Sequence, residues 1–455
     1  MQTQKDRVDA HAFLMGRMSS ALTVGDPGPA EPPDRGRRFG FYFGLVIALL
    51  VAIGFWVYGL IVPGGSTTWK QPGTLIVEKE TGNRYLYLNQ LLRPTLNQPS
   101  AMLALGKSPR IEMVSSASIA GVPHGAPIGI PGAPDSLPGT AALGRSWLLC
   151  LNDRAALSPA MSMVIIDGAA FPAPVTNDRY VVVTAATGSQ YLVLDGHKHR
   201  LAGPRVLVAL GVPAMTPSAA PDGWLNQLPD GEPLAAAEIP DDGRPGRAVA
   251  GTTRTVGQTF RQELPNGSPL YFVLRTDGLA PMSRTEFALT SVEHPDRAPV
   301  DLTAPEIDAV PHSADSSLMT RLPDVLGTSM AAPAGSAGPQ VPCLVQQPVQ
   351  QFVSSYVTLV PVNEAGPPMR DTVGAMVLPN SGIFAAEVPL PVGQTKPHRY
   401  LITDRGIKYP VPDDNSVNAL GYAGVPPTPV PADVLGALPT GPTLSRAALG
   451  VSEKG

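Results

Sequence analysis

The chain has 455 residues, a net charge of −4, 15% charged residues, 52 prolines and two cysteines. That balance argues against a nucleic-acid partner, which selects a basic surface. Proline at about twice the usual share excludes long helices and central strands from most of the chain, and predicts short elements joined by ordered loops.

In chain order, the first predicted element is a helix over about Asp6–Leu22. Val8, Ala12, Met15, Met18 and Leu22 fall on one side of it, with Lys5, Arg7 and Arg17 available for a membrane face. The stripe suits lipid or a partner helix. Next, Phe39 to Val62 carries no charge. At about 1.5 Å per residue this run covers the roughly 30 Å hydrocarbon core of a bilayer. Aromatic rings stand near both ends, where amphipathic rings prefer to lie. Pro63-Gly64-Gly65 is expected to end the helix. Arg35, Arg37 and Arg38 precede the run and the first base after it is Lys70, so the N-terminal segment is expected in the cytoplasm and the remainder outside. A cleaved signal peptide is the rival reading, but its apolar core of about 7–15 residues is shorter than this run.

Self-similarity is the main signal beyond the span. Residues 74–106 and 179–211 both read strand, Thr-Gly turn, strand, tight turn, strand, then a short helix closed by glycine. Gly82 and Gly188 make the first turns, Asn89-Gln90 and Asp195-Gly196 the second, and Gly106 and Gly211 close the helices. Residues 399–421 align without a gap on 84–106 and end on Gly421. A weaker copy, 271–289, turns at Asp277-Gly278 and has Thr290 where the closing glycine is expected. Trp147–Asn152, Ser162–Asp167, Gln351–Val362 and Val373–Leu378 read as strands of the intervening body.

Cys150 and Cys343 both follow the span, in an oxidising compartment, and are expected to form one disulfide, the alternative being two buried thiols. The bond would close a loop of roughly 190 residues, worth roughly 5 kcal/mol in the chain-entropy picture. The expected fold is thus α+β. A single N-terminal transmembrane helix leads to an elongated extracytoplasmic domain, in which four small β-hairpin/helix repeats surround a mixed β-rich central body with one disulfide. The expected boundaries are 1–38 for the cytoplasmic segment, 39–62 for the span, and 73–106, 178–211, 269–290 and 396–421 for the repeats. Body segments fill 107–177, 212–268 and 291–395, and a proline-rich tail, 422–455, is expected to lie extended.

Several of these stretches resemble the EccB family of type VII (ESX) secretion systems. They are VDAHAFLMGRMSSALTVGDP, the arginines before the span, GTLIVEKETGNRYLYL, YLITDRGIKYPVPDDNSVNALGY and the PPTPVPADVLGALPTGPTL that follows. The two cysteines fit the family's disulfide. The resemblance implies a core subunit of the inner-membrane secretion complex, assembled with EccC (the motor ATPase), EccD, EccE and a mycosin protease. It also implies self-association in a six-fold assembly through the periplasmic domain.

Some family members have been described as ATPases. The nearest approach to a phosphate loop is Leu105-Gly106-Lys107-Ser108, but Ala101 stands where the motif needs its first glycine. GTSMAAP, 327–333, matches the nucleophile stretch of subtilisin-like proteases, with Ser329 as the serine. His124 and Asp167 occur in the wrong order and setting for that family, and His199 lies inside the second repeat. His197 and His199 alternate on one strand without a third metal ligand. The sequence therefore points to no catalytic residue, cofactor or metal. A structural subunit is the leading reading. A membrane-anchored cell-wall-binding module and an anchored serine hydrolase are the alternatives.

Overall fold

A computed structural model of the chain describes residues 4–25, 34–61, 68–151, 161–166, 172–211, 217–265, 267–331, 334–335, 338–350, 352–369 and 374–449. It falls into two compact units. The first is drawn from Met1–Pro94 with Arg110–Gly125, the second from Thr95–Pro109 with Ala126–Gly455.

The first unit opens with the helix Gln4–Val24. Gly25, at φ 74°, ends it and donates to the Ala21 carbonyl at 3.2 Å. The apolar stripe expected on one side is not isolated, because Phe13 and Leu14 expose further apolar surface away from it. Sidedness is correspondingly weak. The second helix, Asp34–Ile61, has 28 residues and holds the apolar span. Its window Phe39–Gly59 has a mean hydropathy of 2.3, and none of it is buried by the rest of the chain. A soluble fold does not leave an apolar face of that size to water. Val62 and the expected Pro63-Gly64-Gly65 terminator lie outside the described residues.

A four-stranded sheet completes this unit. Thr74–Glu78, Arg84–Leu88 and Leu91–Pro94 form an antiparallel meander, and Arg110–Val114 returns parallel to the first strand on its free edge. Trp69, Ile76, Leu92, Val114 and Ile119 form its core.

The same strand order recurs three times in the second unit. One copy uses Arg179–Ala185, Gln190–Leu194, His197–Arg200 and Ser218–Ala220. The next uses Thr259–Glu263, Pro269–Leu274, Leu279–Met282 and Val300–Asp301. The last uses Ile383–Val388, Arg399–Ile402, Lys408–Pro410 and Thr428–Pro431. In chain order a helix separates the third and fourth strands of each copy: Gln98–Leu105, Pro204–Ala209, Arg284–Glu293 and Asp414–Ala419. A second short helix follows each fourth strand: Ser116–Ile119, Asp222–Leu225, Ala304–Asp308 and Ala432–Ala437.

These units run beyond the boundaries expected from sequence. The first strands of the third and fourth copies lie before 269 and 396, and every copy has a return strand and second helix past its expected end. The 422–455 stretch is not simply an extended tail, since it supplies Thr428–Pro431 and Ala432–Ala437 to the fourth copy. A long connection between Val388 and Arg399 replaces the short Thr-Gly turn, so a gapless alignment cannot reach the first strand of that copy.

The central body is a sheet in which Met161–Ile166, Ser146–Leu151, Gly338–Val349 and Phe352–Pro361 lie side by side, all antiparallel. The strand expected at Val373–Leu378 is absent from the described residues of that stretch, 374–378. Met376 alone bridges Val164, while Ala375 donates to the Gly406 carbonyl at 3.2 Å. That segment divides its backbone bonds between the sheet and the fourth repeat, so no ladder can continue.

One face of the central sheet buries Trp147, Leu149, Met163 and Leu344 against Val181 and Val183 of the second repeat and Ile383, Val430 and Leu435 of the fourth. The other buries Leu148, Val341, Val345 and both cysteines. Trp147 Nε1 donates to Gln346 Oε1 at 2.7 Å, and Gln346 Nε2 donates to Ser355 Oγ at 3.0 Å and Gln227 Oε1 at 3.1 Å. The fully buried amide is thereby satisfied, as a core polar group must be.

Candidate functional site: the stapled body and its repeat clips

Cys150 and Cys343 face each other directly on neighbouring antiparallel strands, with Cα atoms 4.0 Å apart and S–S at 2.05 Å. Both are fully buried. The bond joins strands separated by 193 residues, so it staples two distant parts of the body.

The glycines singled out in the sequence have positive φ. Gly82 and Gly188, at φ 73° and 82°, close the first turns by donating to the Glu78 and Ala185 carbonyls at 2.8 and 2.9 Å. Gly196 follows Asp195 with both residues left-handed, the geometry of a two-residue hairpin. Gly106, Gly211 and Gly421 stand at φ 71°, 64° and 85° after their helices. The third copy has Thr290 instead, and its helix runs on to Glu293 before His294 caps it. Asn97, Ser283 and Asp413 cap the N-termini of three of these helices with side-chain oxygens. Gly278 has φ 155°, and a Cβ there would fall 2.0 Å from the Pro311 carbonyl oxygen. Arg35, Arg37 and Arg38 lie in the opening turns of the span-bearing helix.

Each repeat is closed by a clip that the sequence reading missed. The third strand of every copy exchanges two backbone bonds with a segment after the second helix. Leu92 donates to the Pro123 carbonyl and accepts from Gly125, both at 2.9 Å. Lys198 does the same with Pro229 and Gly231, Leu279 with Pro311 and Ser313, and Lys408 with Pro439 and Gly441, at 2.8–3.0 Å. A constant spacing carries the signal: Ile119-x-x-Val122-Pro123-x-Gly125, Leu225-x-x-Leu228-Pro229-x-Gly231, Ile307-x-x-Val310-Pro311-x-Ser313 and Leu435-x-x-Leu438-Pro439-x-Gly441. The leading Ile or Leu is buried in every case. The glycine is a matter of space. A Cβ on Gly231 or Gly441 would come within 2.3 Å of the His199 or Tyr409 ring. In the third copy the position after Leu279 is Ala280, and the small side chain there leaves room for Ser313.

This contrast gives a prediction. Gly441→Ala meets the fully buried Tyr409 ring and is expected to cost about 1–3 kcal/mol, as overpacking does. Gly211→Ala meets open space and is expected to cost only the left-handed strain, about 1 kcal/mol. Denaturant midpoints of the two variants check the order. A smaller loss for Gly441→Ala would remove the clip argument.

The candidate chemical groups are engaged elsewhere. Ser329 begins a two-residue strand parallel to the start of Arg179–Ala185, and its N–H donates to the Asp178 carbonyl at 2.8 Å. His199 is buried, with Nδ1 2.8 Å from the Glu232 carbonyl, and burial lowers its pKa. Asp167 and Pro333 lie outside the described residues. Lys107 and Ser108 follow a helix C-terminus at Gly106, whereas a phosphate cradle needs the N-terminal end with its free N–H groups. His197 and His199 contact different carbonyls, those of Asp195 and Glu232. Among the described residues no three His, Cys, Asp or Glu side chains converge as metal ligands. A recess of about 530 Å³ between the second and third repeats is lined by Arg205, Glu238, Asp242, Glu293 and His294. Its Asp242 is already held by Arg297 at 2.6 and 2.8 Å, and those hydrogen bonds keep its carboxyl below the usual range.

The family described as type VII secretion system ESX-1, transport TM domain B, matches residues 1–455. The chain belongs to this family, EccB. It is 27% identical to the ESX-3 secretion system ATPase EccB3 of Mycolicibacterium smegmatis, over 97% of this chain and 89% of that one. Its fold is similar to that of a chain in an intact ESX-5 inner membrane complex, with a TM-score of 0.61 at 22% identity, covering all of this chain and 96% of the other. It is also similar to a chain of the EccB3 dimer from the ESX-3 core complex, with a TM-score of 0.58 at 25% identity, covering 83% of this chain and all of that one.

Proposed function

We propose that this EccB-family chain is a structural core subunit of a type VII secretion inner-membrane complex, crossing the membrane once and assembling through its extracytoplasmic body to support export. The single observation that carries this is the family match along the whole chain. One exposed apolar helix joined to a disulfide-stapled body is the architecture such a strut requires. Arg35, Arg37 and Arg38 before the span favour a cytoplasmic N-terminal segment and a periplasmic body. The buried disulfide agrees, since such bonds persist in oxidising compartments. The proposed partners are EccC, EccD, EccE and a mycosin protease of the same system, with further copies of this chain in a hexameric assembly.

Relatives carry the word ATPase in their names. For this chain we favour a non-enzymatic role, because the lysine that resembles a phosphate-loop lysine follows the wrong end of its helix.

Gentle detergent extraction of the tagged full chain from its native membrane tests the proposal. The expected result is a large complex containing the motor ATPase and the other membrane subunits, identified by mass spectrometry. Recovery as a monomer without them would overturn it.

A further inference from the structure

We propose that the strand Arg110–Val114 is a self-association edge that pairs antiparallel with the same strand of a second copy, centred on Ile111. The proposal rests on the self-association included in the proposed function and names the surface that performs it.

Arg110–Val114 is the outer strand of its sheet, next to Thr74–Glu78. Arg110 donates to the Gly73 carbonyl at 3.1 Å and Val114 accepts from Lys79 at 2.9 Å. Residues 110, 112 and 114 therefore turn their backbone groups inward, and Ile111 and Met113 turn theirs away from the sheet. The side chains of Ile111 and Met113 are also exposed, by 56% and 63%. An open strand with apolar side chains is a template for another chain.

The equivalent strands of the other repeats are protected. Ser218–Ala220 and Thr428–Pro431 are largely buried, the latter with prolines at 429 and 431, and Val300–Asp301 has only two residues. The first repeat alone has a five-residue return strand with neither proline nor burial to close its outer side.

Self-complementarity selects a second copy as the occupant. In an antiparallel pair centred on Ile111, Arg110 stands opposite the partner's Glu112, and Glu112 opposite the partner's Arg110. Within one strand these two already pair at 2.9 Å. Because their backbone groups point inward, they occupy the closer, non-hydrogen-bonded positions of the new pair, where opposite charges attract best. Ile111 exchanges both backbone bonds with the partner's Ile111, and the Met113 N–H reaches the partner's Pro109 carbonyl. The arrangement is isologous and closes on itself, as a two-fold contact must.

The test uses the full chain in its native membrane. The two native cysteines are bonded to each other, so an introduced thiol is alone. Ile111→Cys places two thiols across the two-fold with Cα atoms about 5.5 Å apart, within disulfide range. Mild oxidation is expected to convert it to a covalent dimer, whereas Val208→Cys, on a more exposed helix position, stays monomeric. Arg110→Glu alone is expected to weaken the dimer on the order of tenfold, and Arg110→Glu with Glu112→Arg to restore it. If Ile111→Cys stays monomeric while tagged and untagged copies still co-purify, the edge is overturned and self-association stands. If the copies do not co-purify at all, both fail. If the double swap does not recover, the register is wrong and the proposal falls.

Discussion

Replacing Cys343 with alanine will lower the unfolding free energy of the body by roughly 2–5 kcal/mol. The bond closes a separation of 193 residues, long enough for the chain-entropy effect to be near its upper range. Local pairing keeps the loss from being total. Leu344, Val345 and Gln346 still pair with Leu149, Leu148 and Trp147 on the neighbouring strand. The Trp147–Gln346–Ser355 hydrogen bonds also remain. A folded but weaker body is therefore expected, with its denaturant midpoint lowered and its secondary structure retained. Cys150→Ala should match Cys343→Ala, and the double variant should add little, because either change removes the same cross-link. Both sulfurs are buried, so reductant should act on the native chain only through opening of the sheet. Midpoints measured on the full chain in detergent, with and without reductant, decide this. Rapid reduction of the folded protein would contradict the buried position.

Glu286→Ala is expected to cost about 3–5 kcal/mol, the loss typical when one member of a buried ion pair is removed. The Glu286 side chain is fully buried, and Arg321 holds both of its oxygens at 2.6 and 2.9 Å. The same guanidinium donates to the Ala235 carbonyl at 2.7 Å. It therefore ties a helix of the third repeat to the segment that leaves the second. With Glu286 gone, Arg321 keeps its desolvation cost and loses its two closest carboxylate contacts, leaving only the half-exposed Glu232 at 3.4 Å. Glu286→Gln retains hydrogen bonding and should cost less. Glu286→Leu with Arg321→Met removes both charges and should recover much of the loss, since apolar groups of similar size replace buried ion pairs well. Denaturant midpoints of the three variants form the measurement. A loss below about 1 kcal/mol for Glu286→Ala would show that water reaches the pair.

Cys150 and Cys343 were legible as a pair because there are two cysteines and both follow the apolar span. Glu286 and Arg321 carried no such mark. Each is one charged residue among many, and only packing of the third repeat against the second removes Glu286 from water.

Sequence by itself determined the features that are local. The apolar helix needs only its own composition and a rise per residue, and it lies within Asp34–Ile61. The turns at Gly82, Gly188 and Gly196 need only a residue that tolerates positive φ. Tertiary structure decided what depends on a distant partner. Return strands of two to five residues have no measurable periodicity, and each becomes a strand only because the first strand of its repeat offers a free edge. The Pro-x-Gly clips were present at constant spacing, yet their meaning lies in the third strand they close and in the ring or stem that crowds the glycine. The described residues 374–378 had strand-like character and form no ladder, because Ala375 bonds to Gly406 instead. A helix is made from its own hydrogen bonds, whereas a sheet is made from someone else's. That is why the span was legible in one line of sequence and the repeat units were complete only once the chain had folded.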